Sequence, residues 1–447
     1  MRDILGTPAF AKLFAAQVVA LIGTGLLTVA LGLLAFDIAG GDAGLVLGAA
    51  LTIKMLAYVG VAPIMAAVSN RMPRKLLLVT ADVVRAAVAI CLPFVTEAWQ
   101  IYVLIFVLQA ASATFTPAFQ AVIPEVLPDE RQYTRALSLS RLAYDLESLV
   151  GPILAAALLT VIDFHDLFVG TFVGFVGSAA LVLTSAFPRM ADGAPAPFVE
   201  RLTRGARVFG RTPELRSLLA MNLVVAAATA MVIVNTVVLV QGDLGRPQAD
   251  VALLLAASGA GSMLVALLLP KLLDRWPDRP FMLAGTTALP VGLAGAAFLT
   301  AQPANDVTWA ATLVLWFLLG AATSLVLTPS ARLLRRSSDE TGRPAVFAAQ
   351  FSLSHACFIV TYPVAGIFGA LLGLPVAAAI LAGIGLLAAI IAWRAWLPRA
   401  SGPKPEPALE RDPRVDRVAD GLSARRRTRL WRRGCRRGAR RPSGRAR

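Results

Sequence analysis

Long runs of apolar residues, separated by short polar connections, follow one another from near the start of the chain to residue 397. Each run reaches roughly the 20 residues that a helix needs to cross the core of a bilayer. The pattern predicts an all-α membrane protein with twelve transmembrane helices, and the first run is expected to be an uncleaved span rather than a signal peptide. The predicted spans are 11–36, 44–69, 76–95, 100–120, 136–161, 166–187, 216–240, 250–273, 281–300, 307–329, 346–372 and 374–397.

The connections between the runs alternate in charge. Those that follow the even-numbered spans are rich in Arg and Lys, whereas those that follow the odd-numbered spans hold mainly Asp and Glu, with Arg246 as their one basic residue. Cytoplasmic loops carry an excess of Lys and Arg. We therefore expect a multi-pass protein of the bacterial inner (plasma) membrane with both termini in the cytoplasm.

Composition excludes the soluble classes of protein. Apolar residues make up 57% of the 447 residues and charged residues only 15%, against roughly 25% in soluble domains. The net charge of +15 is concentrated in residues 399–447, where 17 basic and 5 acidic residues leave +12. This Arg-rich tail either binds anionic lipid or nucleic acid, or is an unselected disordered extension. Residues 425–447 contain twelve arginines and no lysine, which favours the second interpretation, so no nucleic-acid partner is expected.

The two halves of the chain repeat each other. Residues 66–75 follow the second span and resemble residues 270–279, which follow the eighth. Two further pairs of similar segments occur in the same order in the two halves. Thr116-Pro117 matches Thr328-Pro329, and residues 138–141 resemble residues 352–355. Such internal repetition predicts a duplicated six-helix unit.

The repeat defines the predicted domains. They are an N-terminal six-helix bundle at 1–187, a cytoplasmic linker at 188–215, a C-terminal six-helix bundle at 216–398 and the tail at 399–447. Apolar and Arg residues alternate along 198–210, which predicts a short amphipathic helix in the linker. Transporters commonly place their substrate site between such repeats, near the middle of the membrane.

The loop after the second span resembles the best-known motif of the major facilitator superfamily, G-x-x-x-D-R-x-x-R-K. Ala66 and Asn70 stand at the Gly and Asp positions of that motif, and the second copy keeps its Asp-Arg pair. The resemblance implies the major facilitator fold, two six-helix bundles around a central cavity. It also implies that the loop holds one conformation through charge contacts. The motif positions here are Asn70, Arg71, Arg74, Lys75, Asp274 and Arg275.

Two further stretches resemble the macrolide-efflux and siderophore-export branch of drug:proton antiporters. The first is residues 115–128. The second is Gly151-Pro152, which matches part of the antiporter motif G-x-x-x-G-P-x-x-G-G, with Glu147 at the position of the first glycine. The resemblance implies a monomeric secondary transporter, with no enzymatic activity and no cofactor, that exports an amphipathic small molecule in exchange for protons. The absence of a GxxxxGK[ST] loop also argues against ATP-driven transport by this chain.

Two alternatives stay open. Nickel-resistance exporters look similar in this branch, although a chain with only two histidines and no His-rich tail is a poor match for a divalent-metal exporter. A non-transporting membrane receptor or assembly factor is the second alternative. The charged residues inside the predicted spans argue against it, because a passive scaffold has no need of them.

Those charged residues are concentrated in the first half of the chain. Ionisable groups inside a membrane are costly, so each is a functional candidate. The candidates for proton coupling are Lys54, Asp82, Arg85, Arg141, Asp145 and Glu147 in the first half and His355 in the second. Asn222 and Asn235 in the seventh span are expected either to form interhelical hydrogen bonds or to contact substrate.

Spacing separates these candidates. Asp82 and Arg85 are three residues apart and Arg141 and Asp145 four, so each pair can form on one helix face and serve either structure or coupling. Glu147 and Lys54 lack a partner on their own helix, which favours function. Glu147 is the best single candidate for the proton carrier, with Lys54 and Asp145 tuning it. A static Glu147–Lys54 bridge that only holds helices together is the competing interpretation.

The predicted orientation is directly testable. In a protein without its native cysteines, Gly205→Cys in the linker is expected to react with a membrane-impermeant maleimide only after the cells are opened, because this loop is predicted to be cytoplasmic. The matched change Gly41→Cys, in the connection after the first span, is expected to react in intact cells. Labelling at position 205 in intact cells would contradict the twelve-span topology.

Overall fold

The computed structural model describes residues 5–69, 73–127, 129–185, 207–338 and 343–396, and within these ranges no strand occurs. Twelve long α-helices hold most of the described chain, and each overlaps one predicted span, with ends that differ by up to seven residues. They are α1 Pro8–Ala39, α2 Ala43–Ser69, α3 Arg74–Cys91, α4 Ala98–Val126, α5 Glu130–Leu158, α6 Asp166–Leu183, α7 Pro213–Val237, α8 Gln248–Leu273, α9 Asp278–Thr300, α10 Asp306–Arg336, α11 Arg343–Leu372 and α12 Leu374–Ala395. Short 3₁₀ turns follow α1 and α3, and a π-helical turn, Val238–Asp243, extends α7.

Ten segments of the described chain are long and apolar enough to cross a membrane. This count is lower than twelve for two reasons. The segment Pro8–Val61 takes in most of both α1 and α2 as one continuous apolar stretch. The helix α5 is not counted among the ten, because many of its side chains lie outside the described residues. A multi-pass membrane protein is thus confirmed, whereas the number of spans stays a prediction.

Local sequence explains where several helices begin. The Asp129 side chain accepts a hydrogen bond from the backbone N–H of Gln132 at the start of α5, and Asn305 accepts one from Thr308 at the start of α10. These N-caps satisfy backbone donors that a helix leaves free. Proline stands in the first turn of α1, α7 and α12, where its missing N–H is not needed.

The helix contacts repeat with an offset of six helices. Among the first six, α1 packs on α5 and α6, α2 on α4, and α3 on α4 and α6. The corresponding contacts recur in the second six, where α7 packs on α11 and α12, α8 on α10, and α9 on α10 and α12. This agrees with the duplication that the sequence predicts. The two sets also meet through α2–α11 and α5–α8, and the chain through Trp396 forms one unit, so their separation into two bundles stays a prediction.

Glycines allow the closest helix contacts. A Cβ atom on Gly320 of α10 would overlap the backbone carbonyl of Ser258 on α8, and one on Gly261 of α8 would overlap that of Phe317 on α10. In a membrane no hydrophobic force drives helices together, so close approach through small residues contributes much of the packing. The pair α8–α10 therefore depends on having no side chain at these two positions.

Glycines also bring the two sets of helices together at one end, here named the closed end, which carries the α1–α2 and α7–α8 connections. A Cβ atom on Gly48 of α2 would lie 2.8 Å from the backbone oxygen of Tyr362 on α11. The Asn235 side-chain oxygen of α7 would lie 3.1 Å from a Cβ atom on Gly44 of α2 and 3.1 Å from one on Gly369 of α11. Helices from both sets thus pack backbone to backbone around the fully buried Asn235.

Two predicted segments fall largely outside the described residues. Of the amphipathic helix expected at 198–210 in the linker, only 207–210 is described, and these residues are helical. The tail at 399–447 lies wholly outside.

The α8–α10 contact gives a stability prediction. Gly320→Ala is expected to lower the free energy of unfolding by about 1–3 kcal/mol, because the methyl group must push two backbones apart. Gly383→Ala on α12 is the matched control, since a Cβ atom there meets nothing within 4 Å. Thermal unfolding of the purified proteins in detergent measures both. Equal midpoints for the two variants would contradict the close contact.

Candidate functional site

A central cavity of about 420 Å³ lies between the two sets of helices. Its walls come from α1, α2, α4 and α5 on one side and from α7, α8, α10 and α11 on the other. Its size falls within the usual range for small-molecule sites. Much of the lining is apolar, including Leu27, Leu31, Leu47, Leu51, Val232, Ile233, Leu255, Leu319 and Leu327.

The two charged residues in the described lining of the cavity are on the wall from the first six helices. Lys54 of α2 and Glu147 of α5 line it, together with the amide of Gln109 on α4. The two charges attract each other. Within the described part of the chain, however, neither Lys54 nor Glu147 forms a salt bridge or a hydrogen bond. The structure thus brings together the two candidates that lacked a partner on their own helix, without joining them directly.

Within the described lining, the wall from the second six helices carries no charged residue and is rich in hydroxyl groups. Five hydroxyl side chains line it, and among the described residues their oxygens have no hydrogen-bond partner: Thr229, Ser258, Ser262, Thr323 and Tyr362. Sequence reasoning missed all five. The spacing of Ser258 and Ser262, four residues apart on α8, was an available signal, because it places both on one helix face.

The helix α5 brings Glu147 close to a tight helix contact. Gly151, one turn after Glu147, packs against Gly25 of α1, and a Cβ atom on Gly151 would lie 2.5 Å from the Gly25 Cα. Pro152 interrupts the hydrogen bonding of α5 at the same level and lines the cavity. A change in the α1–α5 contact would therefore act directly on the segment that carries Glu147.

His355 lies beside the cavity rather than in its lining. Its ring packs against Phe351 of α11 and Tyr58 of α2, with centroids 4.1 and 5.5 Å away. Its Nδ1 lies 2.7 Å from the Phe351 carbonyl oxygen, so Nδ1 carries the proton and donates. His355 thus joins α2 to α11.

Asp82 and Arg85 form the predicted ion pair of α3, away from the cavity. The Ser178 hydroxyl of α6 donates to the other Asp82 carboxylate oxygen at 2.7 Å. The Arg85 guanidinium lies between the rings of Phe115 and Phe175, 4.3 and 4.6 Å from their centroids. The pair is buried and ties α3 to α4 and α6.

The motif after the second span is only partly described. Asn70 and Arg71 lie outside the described residues, as do the side chains of Arg74, Arg141 and Asp145. Lys75 donates from Nζ to the backbone oxygen of Ser185, just beyond the end of α6, at 3.0 Å. A cation there complements the negative end of the helix dipole.

The second copy of the motif uses an aspartate that the sequence did not single out. Asp274 and Arg275 are exposed. Asp278, at the start of α9, is buried and pairs with Arg332 and Arg336 of α10 at 3.5 and 3.4 Å. The spacing of the two arginines, four residues apart on one face of α10, was the signal that could have identified this cluster.

The two asparagines of α7 differ in their contacts. Asn222 donates to the Gln350 side-chain oxygen of α11 at 3.2 Å, which is the interhelical hydrogen bond of one prediction. Asn235 packs at the closed end, outside the cavity lining, and its amide contacts the Met231 sulfur on its own helix at 3.4 Å. Among the described residues, no three His, Cys, Asp or Glu side chains group as metal ligands.

The sequence model of the Major Facilitator Superfamily matches residues 13–239 and 218–439. The chain belongs to this superfamily. The two matches follow one another along the chain, in line with the repeat in its sequence. The superfamily is one of membrane transporters. With a central cavity between two related sets of helices, the chain is a secondary transporter of that family.

Curated relatives agree with this family. The uncharacterized MFS-type transporter YfiS of Bacillus subtilis is 27% identical over 70% of this chain and 76% of its own length. Macrolide efflux protein A of Streptococcus pyogenes is 25% identical over 47% of this chain. That match spans about half of the efflux protein, 53% of its length. The resemblance to the macrolide-efflux branch is thus confirmed.

Solved structures share the fold. The nucleoside transporter NupG superposes with a TM-score of 0.67 at 14% identity, covering 88% of this chain and 100% of NupG. A bacterial homologue of the human lysosomal transporter Spinster, in an inward-facing unoccupied conformation, also gives 0.67, at 13% identity, covering 88% and 98%. At these identities the likeness concerns the fold alone.

The Asp82–Arg85 geometry predicts a structural role for that pair. Asp82→Asn is expected to destabilise the protein by about 3–5 kcal/mol, because it leaves the Arg85 charge buried and uncompensated. The double change Asp82→Leu, Arg85→Met is expected to recover much of that loss. Thermal unfolding tests both variants. A double variant that is stable but no longer moves protons would instead assign the pair to coupling.

Proposed function

We propose that this protein exports an amphipathic small molecule in exchange for protons by alternating access. The observation that carries the proposal is the placement of Lys54 and Glu147, two opposite and unbridged charges, in the lining of the central cavity. The apolar remainder of the lining suits the body of an amphipathic molecule. The likeness to macrolide efflux protein A supports export as the direction.

In this proposal Glu147 carries the proton. Burial favours the neutral form of a carboxyl group, and a nearby ammonium favours its charged form. Burial and the nearby ammonium therefore have opposite effects on this carboxyl group. When the cavity opens to a different side, the balance between the two effects changes and the group gains or loses its proton. Movement of α1 against α5 acts directly on Glu147, because the Gly25–Gly151 contact and Pro152 lie about one turn away from it.

The closed end fits one state of such a cycle. Under the predicted topology this end faces out of the cell, so the close packing around Gly44, Gly48 and Asn235 separates the cavity from the outside. The Lys75 contact and the Asp278 cluster lie at the opposite, cytoplasmic end under the same topology. In this proposal these contacts change partners as that end opens and closes. The protein acts in this proposal as a monomer within the inner membrane.

The coupling role of Glu147 is tested by proton flux in proteoliposomes. The probes are erythromycin, tryptophan, tryptamine and indole-3-propionate, a fixed panel of amphipathic molecules of different charge. At least one is expected to drive proton movement through the wild-type protein. Glu147→Gln is expected to reduce that movement by about a hundredfold or more, a typical loss for a residue that transfers protons. Glu214→Gln, outside the cavity, is the matched control.

Two outcomes would contradict this assignment. If probe-driven proton movement survives Glu147→Gln at normal expression, Glu147 is not the carrier. If the double change Glu147→Gln, Lys54→Met restores coupled transport, the two residues form only a structural bridge. If no probe in the panel moves protons through the wild-type protein, the proposed function itself fails.

A further inference from the structure

Among the described residues, the charged wall of the cavity holds one positive and one negative group, which are not paired with each other. Lys54 projects from α2 and Glu147 from α5, and both are only partly enclosed by protein because they face the cavity. Their charges attract, yet within the described chain neither makes a hydrogen bond or a salt bridge. Among the described residues, the site therefore offers one basic and one acidic side chain that are not bridged.

Unpaired charges in such a place are informative about the ligand. A buried charge is expensive unless it is paired and hydrogen-bonded. A substrate with only a positive charge pairs with Glu147 but is repelled by Lys54. A substrate with only a negative charge pairs with Lys54 but is repelled by Glu147. A substrate that carries both groups close together satisfies both residues at once.

We propose that the substrate is a zwitterionic amphiphile with an amino-acid-type head group, whose carboxylate binds the Lys54 ammonium and whose ammonium binds the Glu147 carboxylate. The proposal rests on the proposed function and names the substrate class of the same cavity. An amino-acid head group holds its two charges on neighbouring atoms, so it can enter between two side chains that attract without touching.

The remaining lining accommodates the rest of such a molecule. The apolar body packs against the Leu, Ile and Val side chains, which come from both sets of helices. The hydroxyl groups of Ser258, Ser262 and Tyr362, on the opposite wall, are free to hydrogen-bond to it or to bridging water. Because that wall carries no charge among the described residues, the head group has one orientation only, toward α2 and α5.

The proposal also fixes the charge moved in each cycle. The substrate ammonium and the proton compete for Glu147, so one leaves when the other binds. A zwitterion has no net charge, and its exchange for one proton moves one positive charge across the membrane. Exchange of a monocation for one proton moves none. Transport current therefore separates the two substrate classes independently of affinity.

The test compares three matched probes on the full-length protein in lipid nanodiscs. Tryptophan carries both head-group charges, tryptamine lacks the carboxylate and indole-3-propionate lacks the amine. Equilibrium binding of labelled tryptophan, with the other two as competitors, gives their relative affinities. Tryptophan is expected to bind about tenfold or more tightly than either analogue, since each hydrogen bond to a charged group contributes about that factor.

Substitution then assigns each charge to its partner. Lys54→Met is expected to weaken tryptophan to about the affinity of tryptamine, without weakening tryptamine itself. Glu147→Gln is expected to weaken tryptophan and tryptamine and to spare indole-3-propionate. Lys271→Met, an exposed lysine at the end of α8, and Glu214→Gln are the matched controls and are expected to change none of the three affinities.

The outcomes separate this inference from the proposed function. Equal or tighter binding of either analogue, or no binding by tryptophan, overturns the zwitterion proposal. A tryptophan-driven exchange without net current overturns it as well. If erythromycin still drives proton movement that depends on Glu147, the proposed function stands without the zwitterion. Tenfold preference for tryptophan, with the expected loss in each variant and a net inward current, supports the proposal.

Discussion

A charge inside a bilayer must be paired or must face a polar cavity, and this constraint explains where the protein keeps its ionisable side chains. Asp82 and Arg85 satisfy it by pairing, with Ser178 and two aromatic rings completing their surroundings. Lys54 and Glu147 satisfy it by lining the cavity. The helix α5 supplies Glu147, the residue that we assign to coupling.

Helix packing and function are connected through the small residues. Glycine contacts such as Gly25 with Gly151 let helices approach without side chains between them. Because the backbones are in direct contact, a shift of one helix displaces its neighbour. At the closed end, Gly44, Gly48 and Asn235 hold both sets of helices together around one buried amide. This contact has to open if the cavity is to reach the other side of the membrane, and close backbone packing of this kind suits reversible opening.

The apolar runs predicted the positions of all twelve helices, because a membrane span is specified by local sequence alone. Spacing also predicted the Asp82–Arg85 pair, since both residues are on one helix. The proximity of Lys54 to Glu147 and the hydroxyl wall with Ser258 could not be predicted in the same way. They depend on how α2, α5 and α8 are placed in space. The spacing of Ser258 and Ser262 puts both hydroxyl groups on one helix face, but it does not show which helices that face meets. The Asp278 cluster was missed because its partners are on another helix.

The central claim is that this cavity is a transport path that opens to each side of the membrane in turn. It is tested most directly by Ser262→Cys, in a protein without its native cysteines, because Ser262 lines the cavity and the change keeps the side chain's shape. Membrane-impermeant thiol reagents are applied to oriented vesicles from each side separately. The account predicts labelling from both sides, with bound tryptophan or a pH gradient changing the ratio of the two rates. Labelling from one side only, at every pH and with every probe, would contradict it.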